Sequence, residues 1–251
     1  MPTLDGRVAV ITGAGSGIGR AMATAFVAAG ARVLAVDLSA ERLAETRAHA
    51  GDPEALEPHV ADAADEAAIA GMLAAADARF GPIDILCNNA GILDRMAPLD
   101  ETDNALWHRV VGVNLTGPFL ACRAVLPGML ARGRGVIVNT CSIAGLLGGR
   151  AGIAYTATKH GLLGLTRSIA ATYGDRGIRC NAVSPGSVRT DLAAGVEPSA
   201  AGWALRQKGL ATRPPQAAAE EIAPVAVFLA SDEARYVNGA NIVADAGWTA
   251  Y

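Results

Sequence analysis

Short apolar runs alternate with longer stretches of helical period along the whole 251-residue chain. Of the runs at 8–12, 32–37, 56–60, 83–88, 136–141, 178–184 and 241–244, most are almost continuously apolar. That is the pattern of strands covered on both faces. Between the first two, Ile18, Met22, Phe26 and Ala29 repeat at the α-helical period, and Gly30 follows as a left-handed stop. Ser39 is the N-cap candidate of the next helix, and Thr102 or Asp103 that of a long helix running toward Arg132. Such alternation predicts βαβ units: an α/β fold with a doubly wound parallel sheet of about seven strands, helices on both faces, in a single domain over 1–251. The stretch 186–215 shows no period and is long for a loop inside a compact domain. Segments of this kind are usually functional, and a substrate lid is expected there.

Composition narrows the function. The net charge of −3, with 18% charged and 51% hydrophobic residues, excludes a disordered chain and argues against a nucleic-acid binder acting through bulk charge. No uncharged apolar run reaches the ~18 residues of a membrane helix, and residues 8–19 are too mixed for a signal-peptide core. Cys87, Cys122, Cys141 and Cys180 form no Cys-x-x-Cys, and His49, His59, His108 and His160 show no metal spacing. Reduced buried thiols in a cytoplasmic protein, with no metal, membrane or nucleic-acid partner, are the expectation.

After the first apolar run comes Thr12-Gly13-Ala14-Gly15-Ser16-Gly17-Ile18-Gly19, leading straight into a helix. Glycines permit a tight turn and close backbone approach to a pyrophosphate, and the helix N-terminus offers free N–H groups at its positive end. The spacing is G-x-x-x-G-x-G, from Gly13, Gly17 and Gly19, because Ile18 occupies the place of the third glycine in the commoner motif. Asp37 ends the second strand, where a carboxylate accepts hydrogen bonds from both hydroxyls of an adenosine ribose. A 2′-phosphate ~4 Å from it would be repelled by ~4 kcal/mol per charge pair at a surface-like dielectric. Neither Ser16 nor Leu38 is an arginine that would offset this, so NAD is expected over NADP.

Tyr155 and Lys159 stand four apart, on one helix face. The chain has only two lysines, Lys159 and Lys208, among 21 basic residues, and four tyrosines, so the pairing is not an accident of composition. A phenol ionises near pH ~10 and must be made more acidic to act as a base at neutral pH. A cation ~5 Å away supplies on the order of 3 kcal/mol at an effective dielectric of ~20. Ser142 follows the fifth strand, where it either turns the chain or donates to a substrate oxygen. Asn114 interrupts an apolar helix, either as a structural break or as the holder of a water that links Lys159 to solvent.

The glycine turn, Asp37, Asn88-Asn89-Ala90-Gly91, Asn114, Ser142, Tyr155, Lys159 and Pro185-Gly186 occur in an order that resembles the short-chain dehydrogenase/reductase family, in its compact single-domain subgroup. The resemblance implies a Rossmann-type sheet. It places Gly13, Ser16, Gly17, Ile18 and Gly19 around the pyrophosphate, Asp37 on the ribose, and Asp62 and Ala63 at the adenine. Asn89 and Gly91 would line the nucleotide cleft, Tyr155 and Lys159 would reach the nicotinamide ribose, and Val188 and Thr190, after Pro185 and Gly186, would contact the carboxamide. Ser142, Tyr155 and Lys159 would be catalytic, with Asn114 as relay. Asp245-Ala246-Gly247 departs from the more common Asp-Gly-Gly without touching a catalytic role. Similar proteins are usually homotetramers, and Val110, Val111, Val113, Phe119 and Leu120 offer apolar surface on more than one helix face.

The expected reaction is NAD-linked interconversion of a secondary alcohol and a ketone, with Tyr155 as general acid and base. Leu93, Leu146, Leu147 and Leu192, with Trp203 and Leu205, suggest a hydrophobic small-molecule substrate, although Arg95, Arg150 and Arg189 could meet a carboxylate. The alternatives are 3-oxoacyl thioester reduction on an acyl carrier protein, sugar or polyol oxidation, and a dinucleotide-binding regulator without turnover.

Overall fold

The computed structural model describes residues 3–250. Its strands are β1 (Val8–Thr12), β2 (Arg32–Asp37), β3 (Leu56–Val60), β4 (Ile85–Asn88), β5 (Gly135–Thr140), β6 (Ile178–Pro185) and β7 (Asn241–Ala244). They form one sheet in the order β3-β2-β1-β4-β5-β6-β7, parallel throughout. The order reverses between β1 and β4, and parallel sheets open a ligand crevice beyond the strand C-termini at such a switch point. The expected strands are present with small shifts. In the 83–88 run the strand begins at Ile85; just before it the Asp84 backbone bonds Val8 and Val136, and its carboxylate accepts from the Val8 N–H at 3.1 Å.

The helices are α1 (Gly17–Ala28), α2 (Ala40–His49), α3 (Glu66–Phe80), α4 (Asn104–Val111), α5 (Gly117–Arg132), α6 (Ile153–Tyr173), α7 (Ala200–Leu210) and α8 (Ala223–Ala230). Successive strand residues face opposite sides, so Ala9 and Ile11 pack with α1, α2 and α8, while Val8 and Val10 pack with α3, α5 and α6. Met22 and Phe26 are fully buried, Ile18 and Ala29 pack beside them, and Gly30 takes φ +92°. Ser39 accepts from the Arg42 N–H at 3.2 Å, and Asp103 rather than Thr102 caps α4, accepting from the Leu106 N–H at 2.7 Å.

The long helix expected toward Arg132 is broken. A π turn at Gly112–Thr116 joins α4 to α5 and contains Asn114. The combined span Asn104–Arg132 holds an 18-residue window of mean hydropathy 1.4, long and apolar enough to cross a membrane by length and composition, yet Ala121, Cys122, Val125 and Met129 pack on the sheet. Val110 is fully buried in the chain's own core, which removes it from a partner face; Val111, Val113 and Leu120 are half-buried, and Phe119 stays 44% exposed.

The 186–215 stretch is not the featureless loop its sequence suggests, because it contains α7. Only Gly202 of that helix is buried, so no apolar stripe announces it. A Cβ at Gly202 would lie 1.8 Å from the Met96 carbonyl oxygen, which means that α7 docks on the 94–96 loop backbone to backbone.

A buried amide chain steadies the sheet under the crevice. Asn88 Nδ2 donates to Asn139 Oδ1 at 2.8 Å, and Asn139 Nδ2 donates to Thr166 Oγ1 at 2.9 Å, tying β4 to β5 and to α6. Buried amides left unpaired would cost about 1–3 kcal/mol each, so the set favours one register.

Candidate active site

The first turn is built for an anion. Gly13 and Gly17 have φ +66° and +50°, conformations that side chains strain to adopt. A Cβ at Gly19 would sit 1.9 Å from the Gly13 carbonyl oxygen. Asn89 Nδ2 donates to the carbonyls of Thr12 at 3.1 Å and Gly13 at 3.3 Å, so the loop after β4 clamps the turn. Ser16 precedes α1 without a side-chain cap, and no acid lies in the first helical turn. That leaves first-turn amides and the positive dipole end without a protein anion. Asp37 holds the far side, its Oδ2 accepting from the Gly15 N–H at 3.0 Å and its Oδ1 from the Ser39 N–H at 3.1 Å.

A cleft of about 440 Å³ runs from this turn across the strand ends. Every position assigned to dinucleotide binding lines it, from Gly13 and Asp37 through Asp62 and Ala63 to Val188 and Thr190. Ser142, Tyr155 and Lys159 line its other end together with Leu93 and Leu192. Leu147 is not brought in: it is 37% exposed on the turn after the 3-10 segment Ile143–Gly145 and lines no part of the cleft, and Leu146, Trp203 and Leu205 are likewise turned to solvent.

Tyr155 and Lys159 sit in the first two turns of α6, both buried, with Lys159 Nζ 5.5 Å from the Tyr155 ring centre. Lys159 Nζ donates to the Thr140 carbonyl at 2.8 Å, which anchors the ammonium to the end of β5. Burial dominates the ionisation of both. It pushes the Tyr155 phenol up, against a hydrogen bond from Ser142 that lowers it, and it lowers Lys159. At the phenol, desolvation outweighs the Ser142 hydrogen bond.

Asp94, which the sequence did not single out, places the helix. It is 1% exposed, and its oxygens accept from the N–H groups of Gly152 at 3.1 Å and Tyr155 at 2.7 Å. Gly152 is the N-cap of α6 and has no side chain to cap with; a Cβ there would lie 2.5 Å from both Asp94 oxygens. A carboxylate from a distant loop thus does the work of the N-cap. Only its burial reveals this, since an aspartate in a loop carries no motif.

Asn114 lies behind the cleft. Its Oδ1 accepts from the Ile92 N–H and its Nδ2 donates to the Ile92 carbonyl, both at 2.9 Å, so the side chain pins the loop after β4. A Cβ at Gly91 would be 3.4 Å from Asn114 Oδ1 and 3.7 Å from Lys159 Nζ, so both side chains border the backbone at Gly91.

Comparison with known proteins agrees with this architecture. A family described as enoyl-(acyl carrier protein) reductase matches residues 13–249. The chain is 42% identical to 3beta-hydroxysteroid dehydrogenase 2 of Eggerthella lenta, covering 100% of this chain and 97% of that protein. It is 44% identical to 2-(R)-hydroxypropyl-CoM dehydrogenase of Xanthobacter autotrophicus, covering 97% and 99%. The crystal structure of levodione reductase superposes with a TM-score of 0.88 at 38% identity, over 98% of this chain and 99% of that one. The chain is a short-chain dehydrogenase/reductase.

Enzymes of this family use nicotinamide dinucleotides, and the short-chain dehydrogenase/reductase cleft described here fits one. The glycine cradle has room only for backbone, the α1 amides lack an anion, and a carboxylate stands at the end of β2. Two cleft features escaped the sequence reading. Arg42 lines the cleft beside Asp37, although neither position thought diagnostic for a 2′-phosphate is basic. A second cavity of about 180 Å³ shares Ser142 and Tyr155 and is walled by Arg150 and Arg206, while Arg95 and Arg189 line neither space.

Proposed function

We propose that this short-chain dehydrogenase/reductase interconverts a secondary alcohol and a ketone on a small molecule with a hydrophobic body, using NAD. The observation that carries the reading is the convergence of Ser142, Tyr155 and Lys159 on one end of a cleft whose other end is the glycine cradle. The similarity to enzymes named for a hydroxysteroid, a hydroxypropyl compound and levodione supports it.

A nicotinamide ring, when bound, supplies the hydride acceptor or donor. Tyr155 takes the hydroxyl proton in oxidation and returns it in reduction. Ser142 holds the substrate oxygen beside the phenol. Lys159 keeps two donors free after bonding Thr140, enough for ribose hydroxyls, and its charge favours the phenolate once formed. Asn114 and the opened π turn carry the proton path from Lys159 toward solvent. Asp37 selects NAD. The 186–215 segment acts as substrate lid, the protein is cytoplasmic, and it assembles as a homotetramer through the face carrying Phe119.

The test is NADH or NADPH formation across a panel of hydrophobic secondary alcohols, with wild type and Tyr155→Phe. Turnover by wild type and near-complete loss in the variant are expected. A variant as fast as wild type overturns the mechanism, and equal kcat/KM with NADP overturns the cofactor assignment.

A further inference from the structure

The second cavity differs chemically from the dinucleotide cleft it adjoins. Asp37, Asp62 and Asp191 line the cleft beside Arg42 and Lys159, whereas the cavity wall holds Arg150 and Arg206 and no Asp or Glu. Both arginines are half-buried. Neither has a carboxylate within 4.0 Å among the described residues, although Arg7, Arg20, Arg47, Arg79, Arg123 and Arg134 each have one.

What the two guanidiniums do touch leaves them available. Arg150 stacks on the Trp248 ring at 4.6 Å and Nη1 donates to the Gly209 carbonyl at 3.0 Å, so it is held in place with most donors unspoken for. Arg206 lies over the Trp203 ring at 5.9 Å, and its Nη1 points at the Met96 sulfur at 3.2 Å, a weak acceptor, so its hydrogen-bond donors stay largely unused. Burial and the neighbouring Arg213 both disfavour its charge. The Trp248 indole N–H, in the same wall, has no acceptor among the described residues. Half-buried cations without a counter-ion are costly, and a guanidinium fork matches a carboxylate in two parallel hydrogen bonds. Leu93, Leu192 and Leu210 make the surface between this end and Tyr155 apolar.

We propose that the substrate carries a carboxylate on its apolar body, held by Arg150 and Arg206 while its carbinol or carbonyl carbon lies against Ser142 and Tyr155. This specificity rests on the alcohol–ketone reading above.

Two measurements test it. Calorimetry on the NADH complex compares cyclohexanecarboxylate with cyclohexanecarboxamide, in wild type, Tyr155→Phe, Arg150→Gln and Arg206→Gln, with thermal melts and NADH binding confirming that each variant is folded. Initial rates compare 4-hydroxycyclohexanecarboxylate with its methyl ester and with 4-methylcyclohexanol. The carboxylate should bind wild type and Tyr155→Phe at least about 30-fold tighter than the carboxamide, and either arginine substitution should remove most of that ratio. The hydroxy acid should lead the ester and the neutral alcohol by a similar factor in kcat/KM. Binding of carboxylate and carboxamide within about 3-fold, or a preference that survives both arginine substitutions, overturns the proposal. Neutral alcohols oxidised as well as the acid overturn it and leave the alcohol–ketone reading standing. Arginine-dependent carboxylate binding without oxidation of any alcohol overturns that reading instead, and with it the substrate assigned here.

Discussion

The two ends of the cleft are built by different means. At the dinucleotide end, backbone does the shaping: glycines at 13, 17 and 19, bare α1 amides and one carboxylate, most of it within a single βαβ unit. At the substrate end, side chains do it, and they come from separate segments of the chain, one of them α7: Leu93, Arg150, Leu192, Arg206 and Trp248. Backbone shaped by glycine tolerates little change, because a Cβ would meet the Ala90 backbone at Gly13, the Thr190 side chain at Gly17 and the Gly13 carbonyl at Gly19. A wall assembled from such side chains can be altered one residue at a time. The first end therefore defines the class of cofactor, and the second defines what the enzyme acts on.

The sharpest break in the comparison lies where the ends meet. Tyr155→Phe should lower kcat by about 1000-fold or more while moving the NADH dissociation constant less than about 3-fold. Unequal partners in the next test are two glycines. Gly19→Ala, forced against the Gly13 carbonyl, should weaken dinucleotide binding by at least about tenfold and lower Tm, since overpacking costs ~1–3 kcal/mol. Gly202→Ala, forced against the Met96 carbonyl, should instead raise substrate KM severalfold and leave dinucleotide binding intact, as NADH fluorescence titration would show. If both variants lose dinucleotide affinity equally, the two ends are not separable.

Asp37→Asn should move the NAD/NADP ratio of kcat/KM toward NADP by about tenfold, with Arg42 beside it left to meet the phosphate. Smallest of all is a change of slope. Burial favours the protonated phenol of Tyr155, so ketone reduction, which needs the proton, should show a kcat independent of pH through the neutral range. Alcohol oxidation needs the phenolate, whose fraction rises about tenfold per pH unit below the phenol pKa, and should quicken with pH. A flat oxidation profile under chemistry-limited conditions would contradict Tyr155 as the base.

The same division explains what could be read from the chain. Continuous apolar runs and the glycine turn are local signals, and they located the sheet, α1 and the glycine cradle; Asp62, Ala63, Val188 and Thr190 came only with the family resemblance. The substrate end is non-local. Arg206 sits on a helix with no buried side-chain stripe, and Asp94 becomes informative only when Gly152 and Tyr155 are folded against it. Leu147 looked like a wall residue by type and proximity to Ser142, yet the turn directs it to solvent. Burial of the phenol was illegible for a related reason, since charge separation can be guessed from spacing while desolvation depends on what covers the pair.

Asp94 occupies both worlds. It also accepts from the Met96 N–H at 3.3 Å, so one buried carboxylate fastens the loop on which α7 rests to the N–H of Tyr155 itself. Anything that tugs on that loop is felt at the phenol. Remodelling the enzyme for a bulkier molecule by lengthening residues 94–96 would thus detune proton transfer at the same stroke, whereas changes at Arg150 or Leu192 leave that tether alone.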